Sequence, residues 1–301
     1  MPPMTRALAL LALLAAAAFA ALGPLPAHAS DDARPAKEIF GSLDAPSRHS
    51  LPAAIGSYAR GCVAGAVPLA IDGPNHQAMR LSRNRNWGHP ALIAYLEELA
   101  ANAPSAGWPG LLVGDISQPR GGPMLTGHAS HQIGLDADIW LRPMPGRRLT
   151  RAEREEMSSW VVVRADRNDV DPALWSPAHT ALIGLSARDT RVARIFVNPA
   201  IKRALCREAG ADRAWLSKVR PWWGHDAHFH VRLACPEGAD FCRDQPPPPQ
   251  GDGCGAELDW WFSEEARAPA KTPAQPKPQI TLADLPEQCR DVVQDSVAER
   301  N

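Results

Sequence analysis

The chain has 301 residues, with 32 Lys and Arg side chains against 33 Asp and Glu side chains and a formal net charge of −1 at pH 7. A chain of this length forms one large domain or two small ones and buries roughly 75% of its unfolded surface. The near-zero charge supplies no basic field for nucleic acid and no polybasic patch for a membrane surface. We therefore expect neither of these as a partner.

The first 29 residues have the pattern of an export signal. One positive charge at Arg6 precedes an apolar run from Ala7 to Leu22, and Ala27-His28-Ala29 forms a small-x-small cleavage site. The apolar run is shorter than the roughly 20 residues that a membrane span needs. We therefore predict a signal peptide over residues 1–29, cleaved near Ala29, export to the periplasm, and no transmembrane segment in the mature chain.

Apolar periodicity predicts the first elements of the mature chain. In "NRNWGHPALIAYLEELAANA" the apolar positions Leu92, Ile93, Leu96 and Leu99 form one face of a helix. "WPGLLVGDIS" has the pattern of a buried strand, and a Gly-Pro loop, "QPRGGPMLTGHASHQ", follows it. In "GLDADIWLRP" apolar and polar residues then alternate with the period of two that is typical of a strand.

The second half of the chain continues the mixture of helices and strands. We predict a helix that runs toward a strand or turn in "TRAEREEMSSWVVVR" and helices in "PAHTALIGLSARD" and "NPAIKRALCREAG". We predict strands in "VARIFV" and "HFHVRLAC". From Gln245 the chain is Pro-rich, and a terminal helix from Leu282 to Ala298 follows the linker "APAKTPAQPKPQ". This pattern predicts an α+β fold with a mainly antiparallel sheet core, flanked by helices and long loops.

Export determines how the six cysteines are interpreted. In an oxidising compartment an even number favours three disulfide bonds, and the sequence alone leaves fifteen pairings open. A zinc site made of cysteines is the alternative, but the chain contains no C-x-x-C pair. The cysteines are Cys62, Cys206, Cys235, Cys242, Cys254 and Cys289.

Histidines and aspartates are concentrated in two short segments. In a strand, residues two apart share a face, so His228 and His230 point the same way about 6.5–7 Å apart. His131, in the loop before the alternating strand, and Asp138, on the polar face of that strand, would add two more ligands. Three N and O ligands leave one position open, as at a catalytic zinc. The alternative is that these are ordinary surface or core histidines.

Four stretches carry a resemblance to a known family: "GHASHQIGLDADIWL", "RIFVNPAIKRALC", "HDAHFHVRL" and "GDGCGAEL". They resemble the penicillin-insensitive murein endopeptidases, which belong to the lysostaphin, D-Ala-D-Ala carboxypeptidase and Hedgehog type of zinc peptidases. That group is marked by H-x(6)-D and H-x-H. His131 and Asp138 have the first spacing, and His228 and His230 have the second. The resemblance covers the chain from about Gly61 to Cys289.

The resemblance implies roles for the clustered residues. His131, Asp138 and His230 match the zinc ligands. His228 matches the histidine beside the metal that acts as a base or stabilises the transition state, and the sequence does not choose between these roles. His225 matches a further active-site histidine.

The resemblance also implies a second metal site and a disulfide pattern. His128, with Asp166 and Asp169 in "ADRNDV", matches that second site, although the family can carry a histidine at the position of Asp169. The alternative is that "DRND" is a solvated turn. The implied disulfide pairs are Cys62–Cys289, Cys206–Cys254 and Cys235–Cys242.

Two further features have open alternatives. Asp136, two residues before Asp138, is either a partner that orients a metal ligand or an ordinary strand-end carboxylate. Trp222 and Trp223 either stack on a sugar or peptide or are core aromatics that close the site.

The resemblance predicts a zinc peptidase domain over residues 30–262 and a Pro-rich linker and tail over residues 263–301, tethered by a disulfide. The expected function is hydrolysis of D-alanyl–meso-diaminopimelate cross-links between peptidoglycan stem peptides by a metal-activated water. The chain has no S-x-x-K motif, so the serine that penicillin acylates is missing. A D-Ala-D-Ala carboxypeptidase and a non-catalytic peptidoglycan-binding relative are the alternatives. The sequence does not define the oligomeric state.

Overall fold

The computed structural model describes residues 34–48, 51–268 and 278–295. The predicted signal peptide lies outside these residues, as do residues 269–277 of the Pro-rich linker. Within the described ranges, none of the helices has the length and apolar character that crossing a bilayer requires.

Short strands and helices alternate along the described chain. The strands are β1 (Ala53–Ser57), β2 (Arg60–Ala64), β3 (Val67–Pro68), β4 (His76–Ala78), β5 (Trp87–Gly88), β6 (Leu111–Val113), β7 (Asp136–Trp140), β8 (Val192–Val197), β9 (Val219–Pro221) and β10 (His228–Leu233). The α-helices are α1 (Ala36–Gly41), α2 (Pro90–Asn102), α3 (Arg151–Glu156), α4 (Pro177–Arg188), α5 (Pro199–Glu208), α6 (Ala256–Trp260), α7 (Glu264–Arg267) and α8 (Gln288–Gln294). Short 3₁₀ helices cover Leu81–Arg83, Ala103–Ala106, Ala214–Lys218 and Leu282–Asp284.

Six strands form the main sheet in the order β4-β6-β7-β10-β8-β9. The inner pairs β6–β7, β7–β10 and β10–β8 are antiparallel, whereas the edge pairs β4–β6 and β8–β9 are parallel. The predicted α+β class is confirmed, but the sheet is mixed. The reason is connectivity: α2 lies between β4 and β6 along the chain and α5 between β8 and β9, and a helical crossover is what joins parallel neighbours.

The three longest helices in the described part of the chain each begin with proline. Pro90, Pro177 and Pro199 occupy the first or second helical position, where the missing N–H costs nothing because that group has no partner inside the helix. The residue before the proline supplies the cap in α5, where the Asn198 side chain accepts a hydrogen bond from the backbone N–H of Ala200. These helices were predicted, and their starts follow from local sequence.

The alternation in β7 and β10 separates the core from the polar face of the sheet. Ala137, Ile139, Phe229 and Val231 are fully buried in the main apolar cluster, together with the inward faces of α2, α4 and α5. The residues between them therefore point to the opposite face of the same strands. That opposite face carries the candidate site.

The C-terminal part differs from the prediction. The expected continuous helix from Leu282 is divided into a 3₁₀ turn and α8, because Pro286 forces Leu285 into an extended conformation with ψ 162°. The hairpin β1–β2 was not predicted, since its Gly-rich sequence lacks a clear alternation of polar and apolar residues.

Three disulfide bonds have the pairing that the family resemblance implies: Cys62–Cys289, Cys206–Cys254 and Cys235–Cys242. The first joins β2 to α8 inside a small apolar cluster that also contains Ile39 and Phe40 of α1. Both of its cysteines are fully buried.

The Cys62–Cys289 bond is expected to make the largest single contribution of the three disulfides to stability. It closes 227 residues of chain, whereas Cys235–Cys242 closes 7. On the chain-entropy scale the longer loop stabilises the fold by about 3 kcal/mol more. We expect the Cys62→Ala/Cys289→Ala protein to lose that much more unfolding free energy than the Cys235→Ala/Cys242→Ala protein, measured by urea unfolding. Equal losses would contradict this expectation.

Lys202 of α5 is fully buried, and its Nζ donates to the carbonyl oxygens of Leu216 (2.7 Å) and Asp252 (2.6 Å). Burial, reinforced by the nearby Arg220, lowers the pKa of Lys202 to about 7. These contacts connect α5 to two segments that lie beside the Cys206–Cys254 disulfide.

Stability should therefore rise with pH above neutrality. Because the pKa of Lys202 is lower in the folded state than in the unfolded chain, the unfolded chain binds more protons between about pH 7 and pH 10. We expect the unfolding free energy to increase by roughly 1 kcal/mol per pH unit between about pH 7 and pH 9. Lys202→Met should flatten this rise in urea unfolding curves, and equal slopes in the two proteins would exclude this role for Lys202.

Candidate metal centre

The polar faces of β7 and β10 bring the predicted site residues into register. His230 lies opposite Asp138, and Arg232 lies opposite Asp136. His228 is two residues before His230 on the same face. The period of two in each strand, together with this register, places these imidazoles and carboxylates side by side.

His131 lies in the loop before β7 and is completely buried. Its backbone has φ +68°, a left-handed conformation that is uncommon for a residue other than glycine and is typical of functional sites. Its backbone N–H donates to Asp136 Oδ2 (3.0 Å), and its Nδ1–H donates to the carbonyl oxygen of Ile116 (2.6 Å). The lone pair of Nε2 is therefore available to a ligand.

His230 is oriented in a similar way by Asp136. Its Nε2–H donates to Asp136 Oδ1 (2.8 Å), which leaves the lone pair on Nδ1. Asp136 is also bound by Arg232, whose Nε and Nη2 lie 2.6 and 3.2 Å from its carboxylate oxygens. Burial opposes ionisation of Asp136, but the charges of Arg232 and His230 prevail and hold its pKa far below the usual range. Asp136 thus makes the contact of a carboxylate that orients a metal-ligating histidine.

The free nitrogens of these two histidines converge on one carboxylate oxygen. His131 Nε2 and His230 Nδ1 lie 3.5 and 3.7 Å from Asp138 Oδ1. Two ligand atoms at about 2.0–2.1 Å from a tetrahedral ion are about 3.4 Å apart. His131 Nε2 and Asp138 Oδ1 are also buried without any hydrogen-bond partner. Buried polar atoms are rarely left unpaired, so this donor set fits a zinc ion.

The protonation states of Asp138 and His230 agree with this fit. At His131, in contrast, burial is outweighed by the carboxylates of Asp138 and Asp136, which raise its pKa. Burial raises the pKa of Asp138, but the nearby His228 and His131 outweigh burial and hold it well below the usual value. Burial lowers the pKa of His230 to about 4, and the carboxylates only partly offset this. At neutral pH the two groups are thus an anionic carboxylate and a neutral imidazole, the forms that bind metal.

His228 and His225 flank this trio. His228 is partly exposed, and its Nε2 lies 3.6 Å from Asp138 Oδ2. The ring of His225 lies 4.9 Å from that of His228, and its Nδ1–H donates to the carbonyl oxygen of Trp223 (3.1 Å). Burial, with the charge of His228, lowers the pKa of His225 to about 4, so this imidazole is neutral at pH 7.

His128 is held by a residue that the sequence did not reveal. Its Nε2 lies 3.0 Å from Asp115 Oδ2 and 3.6 Å from Asp138 Oδ2. Ligand atoms of His128, His131 and Asp138 lie within 4.8 Å of one another, so His128 is close enough to approach the same ion. Asp115 follows the buried strand β6, and this position in the sequence could have indicated that it is a candidate site residue.

Asp166 and Asp169 make other contacts. Asp166 is exposed and pairs with Arg164, while both guanidinium nitrogens of Arg207 donate to Asp169 at 3.0 and 3.2 Å. Neither aspartate belongs to the group of ligand atoms around His128 in the described part of the chain. These contacts are those of a solvated turn, and a second metal site stays a prediction from the resemblance.

Trp222 and Trp223 are exposed, at 56% and 38% of their surface. Their role as core aromatics is therefore wrong. They lie 6.5 and 5.1 Å from the ring of Trp261 and form an aromatic surface with it. Phe196 connects this surface to the site, since its ring lies 6.1 Å from Trp222 and 5.2 Å from His230.

A crevice of about 290 Å³ opens beside the metal-ligand trio and is lined by His128, Asp138 and His228. A larger cavity of about 930 Å³ lies beneath Pro246 and its neighbours and contains none of the candidate histidines. Convergent polar groups, rather than size, make the smaller crevice the candidate site.

The chain matches known proteins over most of its length. The family model for the penicillin-insensitive murein endopeptidases matches residues 54–294. This range includes every candidate site residue described above.

Individual relatives agree with the family match. A penicillin-insensitive murein endopeptidase of Haemophilus influenzae is 50% identical over 232 residues, which are 77% of this chain and 80% of the relative. Proteins of the same name from Yersinia enterocolitica and Klebsiella pneumoniae are 48% identical over 229 residues and 46% identical over 243 residues. These alignments cover 75% and 81% of this chain and 83% and 86% of the relatives.

Proposed function

The chain belongs to the penicillin-insensitive murein endopeptidase family, and from this premise we propose that it is a periplasmic zinc endopeptidase of peptidoglycan. Its substrate is the D-alanyl–meso-diaminopimelate cross-link between stem peptides. The observation that carries the proposal is the pair of buried, unpartnered ligand atoms, His131 Nε2 and Asp138 Oδ1, which lie 3.5 Å apart and face the free nitrogen of His230.

His131, Asp138 and His230 would hold the ion. When bound there, Zn²⁺ supplies a Lewis acid that polarises the scissile carbonyl and makes water a nucleophile near neutral pH. Asp136 keeps His230 in the tautomer that offers Nδ1, and the carbonyl oxygen of Ile116 does the same for Nε2 of His131. The chain thereby fixes the ligands before metal and substrate arrive, which lowers the cost of ordering them.

His228 is the residue placed to move a proton. It shares the strand face of His230, lines the crevice and has its Nε2 beside Asp138 Oδ2. An imidazole there accepts a proton from the attacking water and returns it to the leaving amine, or remains charged and stabilises the developing oxyanion. The ring of His225 lies 4.9 Å from that of His228 and is neutral at pH 7, so it adds no second positive charge beside His228.

The proposed nucleophile is a water molecule rather than a serine, and this accounts for insensitivity to penicillin. β-Lactams inactivate enzymes whose serine they acylate, and the chain has no S-x-x-K motif. The crevice is lined by Ser158 and Ser159, and the hydroxyl of Ser159 donates to the carbonyl oxygen of Ala227.

Two substrates test the proposal. A cross-linked tetrapeptide dimer contains only the endopeptidase bond, whereas a pentapeptide monomer ends in D-Ala-D-Ala. We expect the zinc-loaded protein to convert the dimer to monomers and to leave the pentapeptide unchanged, as measured by mass spectrometry. Trimming of the pentapeptide with an intact dimer would identify a carboxypeptidase instead, and binding of both without cleavage would identify a non-catalytic relative.

A further inference from the structure

Two guanidinium groups share one carboxylate oxygen on the wall of the crevice beside the metal-ligand trio. One carboxylate oxygen, Asp115 Oδ2, contacts Nη1 of Arg83 (3.0 Å), Nη1 of Arg85 (2.8 Å) and Nε2 of His128 (3.0 Å). The single negative charge of Asp115 therefore pairs with two guanidinium groups. Arg80, which also lines the crevice, donates to the carbonyl oxygen of Met157 (3.0 Å) and adds a further positive charge.

The two arginines on Asp115 are not equivalent. The side chain of Arg85 is 9% exposed, and its Nη2 donates to the carbonyl oxygen of Thr126 (2.9 Å), so its donors are used inside the protein. The side chain of Arg83 is 48% exposed, and among the described residues Asp115 is its one carboxylate partner. Arg83 therefore presents unused guanidinium donors to the crevice.

The segment that carries Arg83 is held in place. The backbone N–H and hydroxyl of Ser82 donate to the two carboxylate oxygens of Glu155 at 2.7 and 2.8 Å. Arg80 and Asn84, on either side of this turn, have φ +55° and +51°. A left-handed conformation costs a non-glycine residue roughly 1–2 kcal/mol and persists where the surrounding contacts over-determine it.

Arg83 is also close to the reacting bond. Contacts of 3.0, 3.0 and 3.6 Å lead from Arg83 through Asp115 and His128 to Asp138. End to end, these contacts limit the distance to about 10 Å. A carboxylate on the same carbon as the scissile nitrogen lies up to about 4–5 Å from the scissile carbonyl carbon. A hydrogen bond of about 2.9 Å to the guanidinium and a metal–oxygen distance of about 2 Å cover the remainder.

We propose that Arg83 binds the free carboxylate of the substrate that stands on the same carbon as the scissile amide nitrogen. This rests on the proposed function, since meso-diaminopimelate carries a carboxylate at that carbon. A guanidinium fork matches a carboxylate in shape and charge, and the unused donors of Arg83 in the crevice favour an anion over a neutral group.

Two dimers that differ in one group test the proposal, one with the free carboxylate and one with that carboxylate amidated. We expect wild-type protein to prefer the free acid in kcat/KM by about tenfold to hundredfold, the range for a hydrogen bond to a charged group. Arg83→Ala should lose this preference by slowing on the free acid alone, mainly through KM. Arg83→Lys, which keeps the charge without the fork, should retain part of it.

Arg188→Ala is the matched control. The side chain of Arg188 is also 48% exposed and also pairs with an aspartate, Asp212, at 2.8 Å, but it lies on α4 away from the crevice. The Arg188→Ala protein should prefer the free-acid dimer as strongly as wild-type protein does. If Arg83→Ala slows equally on both dimers, Arg83 acts only through Asp115 and the proposal is wrong. An absence of preference in wild type would also overturn it.

Binding of the diaminopimelate-bearing product peptide, measured by calorimetry, separates this proposal from the proposed function. The free-acid peptide should bind wild-type protein about tenfold to hundredfold more tightly than its amide, and Arg83→Ala should bind the two alike. This result does not depend on turnover, so it decides the role of Arg83 even if wild-type protein cleaves neither dimer. Equal binding of acid and amide to wild-type protein would overturn the proposal.

Discussion

Replacement of His230 by alanine is expected to remove both the metal and the activity. The substitution takes away Nδ1, one of the three ligand atoms, and leaves Asp136 without the imidazole that it orients at 2.8 Å. Loss of a residue that merely orients a ligand costs about 10–100-fold in metal affinity, so loss of the ligand itself should cost more. We expect zinc affinity to fall by more than about 100-fold, measured by competition with a chromophoric chelator, and cleavage of muropeptide dimers to be undetectable.

The control for this substitution is His76→Ala. His76 is also a buried histidine in a strand of the main sheet, but its Nε2 bonds the carbonyl oxygen of Ala70 and it lies in β4 at the edge. This variant should keep wild-type zinc affinity. Circular dichroism of both proteins checks that they are folded. Retention of zinc and activity by His230→Ala would show that the ligand assignment is wrong.

Replacement of His228 by alanine is expected to separate metal binding from catalysis. His228 approaches Asp138 Oδ2, whereas the ligand nitrogens of His131 and His230 converge on Oδ1, the third ligand atom. The trio therefore remains complete in this variant. General acid–base catalysis contributes about 10²–10⁴-fold, so kcat should fall by that factor while zinc content stays at the wild-type level. Stopped assays on dimers, with zinc measured on the same samples, give both quantities.

The outcome also decides what His228 does. If its role is proton transfer, the residual activity of His228→Ala should increase when imidazole is added, and the pH profile should change shape. If it only stabilises charge, kcat should fall and added imidazole should restore little of it. Loss of zinc from His228→Ala would show that this residue is a ligand, which contradicts the assignment of His230 in its place.

The part of the site that could be predicted depends on local periodicity and on motif. Alternation in β7 and β10 placed Asp138 and His230 on polar strand faces, and the observed register sets them opposite each other. Spacing within one segment is a short-range property, which a sequence displays directly. The disulfide pairs, in contrast, came from the family resemblance, because the sequence alone left fifteen pairings open.

The part that could not be predicted depends on long-range contacts. Asp115 and Arg83 meet in the fold, yet nothing in the three residues of β6 or in the turn around Ser82 indicates that they do. The parallel edges of the sheet were missed because β4 and β9 have three residues each, too few to show a period. The break of the C-terminal helix at Pro286 could have been predicted, because proline in a helix interior interrupts the helix. The prediction did not apply this local rule.

The most direct test of a zinc endopeptidase at this site is a zinc titration of metal-depleted wild-type protein on cross-linked muropeptide dimers. We predict no cleavage before zinc is added, recovery of cleavage in proportion to the first equivalent of zinc per chain, and the same rate in the presence of penicillin. Cleavage by fully depleted protein, or intact dimers with zinc bound, would contradict the assignment of His131, Asp138 and His230 as a catalytic zinc site.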